Sequence, residues 1–300
     1  MLRAVLHHQS RSDRPVYDGD FPDPFVLMTG DRYFAYGTQT GDTNVQVMES
    51  ADLGTWEHRG DALPDLPPWA GRGLTWSPAV LPRGDTFVLY YAVRFEAAGR
   101  QCISVATGSD PAGPFVDQSA EPLIFQEERG GSIDPSPFVD GDGTAYLLWK
   151  SDDNAVDRAP GLWGARLQPD GLALAEEPVE LLRHDAAWEK PLIEAPSLAR
   201  VAVGTYVLFY SGGWWESDTY AVGYATGRSP LGPFAKQTTA GPWLASGPGM
   251  AGPGGAEVFR VADGTPHLAF HAWTPPRVGY DHGGARSLWI EPLGEFVDRA

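Results

Sequence analysis

Five times along its 300 residues the chain repeats one phrase, a Gly-led turn followed by an aromatic and aliphatic run. It reads GDRYFAYG from Gly30, GDTFVLYY from Gly84, GDGTAYLLW from Gly141, GTYVLFY from Gly204 and GTPHLAFH from Gly264. The leading glycines stand 54, 57, 63 and 60 residues apart, and recurrence on that scale marks stacked or radially repeated units. Each run has the length and composition of a strand entered through a turn. A second phrase precedes the first in every unit: DPFVL at Asp23, SPAVL at Ser77, DPSPFV at Asp134, APSLA at Ala195 and the looser GGAEVF at Gly254. A third lies later, where ATGSDPAGPF from Ala106 matches ATGRSPLGPF from Ala225, two units on. Five ordered units of three or four strands predict an all-β chain, a single five-bladed β-propeller domain over residues 1–300. The 36 Gly and 27 Pro suit many short strands. WD40 units are shorter and carry a Trp-Asp signature missing here; an irregular β-sandwich is the competing architecture. Residues 1–15 are the candidate segment for closing the ring against the fifth blade.

The formal charge of −17 leaves nothing to offset a nucleic-acid backbone or an anionic membrane surface. It favours a neutral or cationic ligand, or simply keeps the protein dissolved. The lone Cys102 excludes an intramolecular disulfide and a thiolate metal cluster. The opening MLRAVLHHQSRSDRP lacks a secretory apolar core, and no run approaches the roughly 18 apolar residues of a membrane span. The expected setting is cytoplasmic, with no membrane or nucleic-acid partner; the sequence does not fix an oligomeric state.

In a propeller the first strand of each blade lies nearest the axis. Asp23 and Asp134 stand before a proline at such strand starts, and Glu194 stands before Ala195-Pro196. Three acids from three blades are therefore expected to point into one cavity. Asp before Pro is also ordinary turn chemistry. Three at one phase of a repeat are different, because desolvated like charges destabilise a fold. Glycoside hydrolysis uses such a set: one carboxylic acid protonates the departing oxygen, and a second carboxylate activates water or attacks the sugar. A third raises the donor's proton affinity by like-charge repulsion. The eleven Trp, eleven Tyr and thirteen Phe exceed what a β-rich core needs and suit stacking on sugar rings.

These residues resemble glycoside hydrolase family 43, along nearly the whole chain. Asp20-Phe21-Pro22-Asp23-Pro24 is similar to the family's general-base motif, Ser132-Ile133-Asp134-Pro135 to that of the auxiliary aspartate that orients the acid and tunes its pKa, and Trp188 through Pro196 to the general-acid motif, which falls on Glu194. Glu189 is the competitor for the acid, but its phase is wrong. Thr75-Trp76-Ser77-Pro78 resembles a second-blade motif with Ser77 in place of the commoner alanine, and Phe270-His271-Ala272-Trp273 a fifth-blade motif whose histidine reaches the axis. The resemblance implies inversion, with Asp23 activating water and Glu194 protonating the leaving group across a carboxyl separation of about 6.5–9.5 Å.

His271 has three readings: a border of an axial Ca²⁺ site, as the resemblance implies, a contact to substrate or water, or a satisfied core histidine. Calcium's preference for oxygen ligands makes one His weak support for the first, and no organic cofactor is indicated. Arg286 stands where the family places a cavity arginine that bonds sugar hydroxyls; a salt bridge to Asp134 or Glu194 is the alternative. Trp76, Phe95, Trp214, Trp215 and Tyr280 are candidates for the pocket rim, each equally able to pack between blades.

Propellers that hydrolyse sucrose or fructans carry Asn-Asp-Pro-Asn, Arg-Asp-Pro and Glu-Cys motifs, which this chain lacks. A non-catalytic sugar-binding propeller would be expected to lose one of the acids. Family members release terminal α-L-arabinofuranosyl or β-D-xylosyl units or cut arabinan internally. The chain is expected to lack the β-sandwich that many family β-xylosidases carry after the fifth blade, and short oligosaccharides suit a cytoplasmic setting. The expectation is an exo-acting α-L-arabinofuranosidase, with a β-D-xylosidase, a bifunctional enzyme or an endo-arabinanase as alternatives.

Overall fold

The structure is a computed structural model that describes residues 13–294. Its strands form five antiparallel sheets arranged as a β-propeller. Blade 1 holds β1 (Phe25–Thr29), β2 (Arg32–Gly37), β3 (Gln46–Ser50) and β4 (Glu57–Asp61). Blade 2 holds β5 (Ala70–Arg83), β6 (Thr86–Phe95) and β7 (Arg100–Gly108); blade 3 holds β8 (Ser132–Val139), β9 (Ala145–Ser151), β10 (Gly161–Arg166) and β11 (Val179–Arg183). Blade 4 holds β12 (Leu192–Ala202), β13 (Thr205–Gly213), β14 (Ala221–Gly227) and β15 (Phe234–Lys236), and blade 5 holds β16 (Ala251–Arg260), β17 (Pro266–Trp273) and β18 (Ser287–Pro292).

The recurring Gly-led run is the second strand of each blade. Its continuous hydrophobicity follows from burial on both faces, with successive side chains serving different neighbours. Along β13, Tyr206, Leu208 and Tyr210 pack against blade 3, while Val207 and Phe209 pack against blade 5. Along β6, Leu89, Tyr91 and Val93 face blade 1, whereas Val88 and Tyr90 face blade 3. The result is five separate cores, one at each interface between blades.

Closure of the ring is made by Val16 and Tyr17. The Val16 N–H donates to the Leu288 carbonyl at 2.9 Å, and the Leu288 N–H donates to the Tyr17 carbonyl at 3.0 Å. The closing segment expected at residues 1–15 thus gives way to the two residues beyond it; residues 1–12 lie outside the described residues. Among the described residues no helix is long and apolar enough to cross a membrane.

Candidate active site

Five residues at one phase of the repeat adopt left-handed backbone: Asp23 (φ 52°), Ser77 (φ 46°), Asp134 (φ 57°), Ala195 (φ 50°) and Gly255 (φ 59°). For a residue with a Cβ this costs about 1–2 kcal/mol. Four of the five carry one. In β5, β8, β12 and β16 the pairing register breaks across these positions, as in a β-bulge that re-aims side chains. The strand starts thereby turn the side chains of Asp23, Ser77 and Asp134 toward the axis, where they line one narrow cavity of about 20 Å³, room for about one water.

A second ring of side chains holds the first. In blades 1, 4 and 5 a residue near the end of the second strand accepts the N–H of the left-handed residue of the next blade. Thr38 accepts the Ser77 N–H on Oγ1 at 2.9 Å, Ser211 accepts the Gly255 N–H on Oγ at 3.0 Å, and His271 accepts the Asp23 N–H on Nδ1 at 3.0 Å. Gly255 has no Cβ because one there would stand 2.7 Å from His271 Cε1 and Nδ1 and 3.0 Å from Asp23 Oδ1.

The three acids come together in one hydrogen-bonded set. Asp23 Oδ2 accepts the Thr38 hydroxyl at 2.6 Å, while Arg286 Nη1 lies 3.6 Å and His271 Nδ1 3.4 Å from its Oδ1. Asp134 accepts the Ser77 hydroxyl on Oδ1 at 2.7 Å and the Ala195 N–H on Oδ2 at 2.9 Å. Glu194 is buried, with Tyr220 donating to Oε1 at 2.8 Å and Lys150 Nζ to Oε2 at 3.1 Å. Burial first, then the Glu194 charge, raise the Asp134 carboxyl well above the usual carboxylate range against the opposing pull of Lys150. The surface Asp134 keeps faces the axial cavity rather than bulk water, so desolvation governs it. Two carboxyls this close hold one proton between them more readily than none.

Glu189 is placed elsewhere. Fully buried, its Oε2 accepts the Asp185 and Ala186 N–H groups and the Lys236 ammonium, and its Oε1 the Tyr210 hydroxyl. Four donors hold its carboxylate away from the axis, which makes it a packing anchor. Arg286 pairs with Asp23 rather than with Asp134 or Glu194, the alternative partners read from the sequence, because ring closure sets β18 beside blade 1. Its guanidinium also lies 4.7 Å over the Trp215 ring, and its Nε donates to Tyr280 Oη at 3.0 Å. Trp214, 43% exposed, tilts against Trp215 with ring centroids 5.8 Å apart. An aromatic edge therefore runs from solvent through Trp214, Trp215 and Tyr280 to Arg286 and Asp23. Trp76 is half-buried in β5 beside Ser77. Phe95 packs edge-to-face with Trp69 and Phe125, in a trio of its own at blade 2.

His271 is fully buried, and burial followed by Arg286 lowers its pKa to about 3 against Asp23. Because Nδ1 accepts a backbone N–H, the neutral ring carries its proton on Nε2, a buried atom with no protein partner. A protonated nitrogen has no lone pair for a cation. Among the described residues no three His, Cys, Asp or Glu side chains gather as a metal site. The residues present do not fit a resident Ca²⁺ held by His271, and they fit that ring as a hydrogen-bond donor.

Four polar residues of this set stand outside the sequence-based candidates: Thr38, Lys150, Ser211 and Tyr220. Glu257 is a fifth. It faces the same axial cavity two residues beyond Gly255, bonds Ser197 Oγ at 2.7 Å, and is pushed up to about 8 by burial.

The sequence profile described as Glycosyl hydrolases family 43 matches residues 12–294. The chain belongs to that family. A beta-D-galactofuranosidase, xynD, of Aspergillus niger is 27% identical over 249 residues, 78% of this chain and 68% of that protein. A xylosidase/arabinosidase of Bacteroides ovatus is 31% identical over 223 residues, 65% of each. An arabinoxylan arabinofuranohydrolase of Bacillus subtilis is 29% identical across 70% of this chain, which spans 46% of that protein. The crystal structure of a thermostable family-43 glycoside hydrolase superposes with a TM-score of 0.81 at 28% identity, covering 91% of this chain and 89% of that one. This family 43 chain is thus a glycoside hydrolase acting on carbohydrate.

Proposed function

We propose that this glycoside hydrolase is an exo-acting, inverting α-L-arabinofuranosidase that takes terminal units from oligosaccharides. Asp23 acts as general base, Glu194 as general acid, and Asp134 orients Glu194 and keeps a proton beside it. The observation that carries this reading is the buried Asp134–Glu194 pair, in which burial first and then the Glu194 charge push the Asp134 carboxyl up to about 7. Asp23 draws a proton from a water as its oxygen attacks the anomeric carbon. Glu194 passes its proton to the departing glycosidic oxygen, leaving one water split across the bond and the anomeric configuration inverted. Arg286, held by Asp23 and the aromatic edge, offers N–H donors to sugar hydroxyls. Trp214 and Trp76 supply apolar faces for neighbouring sugar units.

The printed activities of the relatives bear on the substrate. Arabinose-acting enzymes recur among them and one is a galactofuranosidase; α-L-arabinofuranose and β-D-galactofuranose share ring configuration, differing by one hydroxymethylene. A pocket for the first therefore needs only added depth for the second. The Bacteroides ovatus relative's name favours β-D-xylosidase as a second reading.

Initial rates on the p-nitrophenyl glycosides of α-L-arabinofuranose, β-D-galactofuranose and β-D-xylopyranose, with and without EDTA, test the assignment. The arabinofuranoside is expected to be cleaved fastest, at a rate EDTA leaves unchanged, with NMR showing the inverted anomer as first product. Preference for either other sugar overturns the substrate, and a retained anomer overturns the mechanism. Mixed oligomers from linear arabinan with no aryl-glycoside turnover would make the enzyme endo-acting.

A further inference from the structure

Lys150 breaks the pattern of the ring that holds the site. Thr38, Ser211 and His271 end their second strands as acceptors for a backbone N–H of the next blade. Lys150 stands at the same place, opposite Ile133 as Ser211 stands opposite Glu194 and His271 opposite Gly254. An ammonium accepts nothing, so it cannot latch the ring; the Ala195 N–H goes to Asp134 instead. Burying an ammonium costs several kcal/mol unless it is matched, and Lys150 is 1% exposed. It has two carboxylate partners, Glu194 Oε2 at 3.1 Å and Asp152 Oδ1 at 3.3 Å.

We infer that Lys150 is a positioning residue that, shared between Glu194 and Asp152, sets the pH at which the Asp134–Glu194 pair gives up its proton. The inference rests on the reading of Glu194 as the acid. With Tyr220 on Oε1 and Lys150 on Oε2, both Glu194 oxygens accept hydrogen bonds, the pattern of the ionised form. Protonating Glu194 removes the charge that draws the ammonium, and Asp152 gives the ammonium another place to go. Lys150 itself stays charged: burial pulls its pKa down, but Glu194, Asp152 and Asp134 together push it up. The other groups facing the pair are Asp23 ahead of β1, Tyr220 ahead of β14 and Glu257 on β16. His271 and Arg286 lie behind Asp23 and bond to it. Lys150 is thus the cation bonded directly to the pair, and Asp152 is the anion that competes for it.

The two partners must act in opposite directions, which no purely structural role predicts. Lys150→Met and Asp152→Asn are compared with wild type by the pH profile of kcat/KM on an oligosaccharide, and by a ¹³C-carboxyl NMR titration with Glu194 assigned through its loss in Glu194→Gln. Lys150→Met is expected to move the upper limb, and the Glu194 resonance midpoint, up by about 1–3 pH units, the usual effect of losing an opposite charge at this range. Asp152→Asn is expected to move both down. Shifts in the same direction, or unmoved midpoints with a lowered kcat, overturn the inference. If Lys150→Met does not fold, Asp152→Asn decides alone: a downward shift supports the inference and a fixed midpoint refutes it. If wild type cleaves no glycoside, the functional reading has failed, and the NMR midpoints still decide whether Lys150 governs the pair.

Discussion

Replacing His271 with Asn tests the latch between blades 5 and 1 through its proton. Asn Oδ1 can accept the Asp23 N–H in place of Nδ1, but it has no proton to gain. In the native protein burial, then Arg286, hold the His271 pKa to about 3 although the Asp23 carboxylate pulls the other way. In the unfolded chain the residue titrates at its ordinary value of about 6.5. Between these two values the unfolded state binds the extra proton. Stability from this group is therefore complete above about pH 6.5 and declines as pH falls toward 3. One proton is worth about 1.4 kcal/mol per pH unit, so acidification from pH 7.5 to 5 removes about 2 kcal/mol through His271 alone.

Loss of the stack between His271 and Tyr220, whose centroids lie 5.7 Å apart at 14°, makes the variant less stable at pH 7.5 by about 0.5–3 kcal/mol. That gap should narrow by about 2 kcal/mol at pH 5. Asp134 and Glu257, whose raised values push the other way, are common to both proteins and cancel in the difference. Urea unfolding of both proteins at the two pH values, with equal m-values, measures it. Parallel losses would refute the neutral latch. A wild type that gains on the variant as pH falls would make His271 a cation paired with Asp23.

Four further substitutions separate chemistry from architecture. Glu194→Ala is expected to lower kcat on oligosaccharides about 10²–10⁴-fold and far less on p-nitrophenyl glycosides, whose leaving group needs little protonation; Asp23→Ala should impair both, and steady-state kinetics on paired substrates reads the contrast. Glu189→Ala should do the reverse, costing about 1–3 kcal/mol or more by leaving the Asp185 and Ala186 N–H groups and the Tyr210 hydroxyl without their acceptor while the folded fraction keeps its kcat, as denaturation and active-site-normalised rates would report. Gly255→Ala should cost about 1–2 kcal/mol for its left-handed backbone and about 1–3 more for the contact on His271, with loss of activity as the ring is pushed off Asp23, visible in the urea midpoint and kcat together.

The blades were legible because a strand buried on both faces shows as an unbroken apolar run, and five such runs at near-equal spacing admit few other folds. Asp23, Asp134 and Glu194 were legible because strand starts face the axis whatever the details of packing. Lys150 was not singled out, although its signal was present. Counted from Gly143 it stands seven residues on, as Ser211 does from Gly204 and His271 from Gly264, and a charge at the end of AYLLWK invites a question. His271 alone drew notice, through the fifth-blade motif it resembles rather than through its place in the repeat. Side-chain parity then decides which neighbour each of these residues meets, and parity needs the register that only the folded sheet supplies. The partner of Arg286 was hidden for a related reason, since it depends on Val16 and Tyr17 joining β18 to blade 1. Phe95 lost its claim on the site to Phe125, a residue outside any strand.

Each interface between blades contributes one part of the site. His271 and Arg286 of blade 5 hold Asp23 of blade 1, whose Thr38 holds Ser77 of blade 2. Ser77 holds Asp134 of blade 3, whose Lys150 holds Glu194 of blade 4, and Ser211 of that blade holds Gly255 of blade 5. The circuit is closed, so no carboxylate is positioned by its own blade alone. Four left-handed residues bearing a Cβ are kept in place by these bonds, and strain of this kind persists only where the surroundings over-determine it. Opening any one interface would release strain of about 1–2 kcal/mol per residue and displace a carboxyl at once. Activity should therefore vanish at the first separation of two blades, before the five interfacial cores come apart.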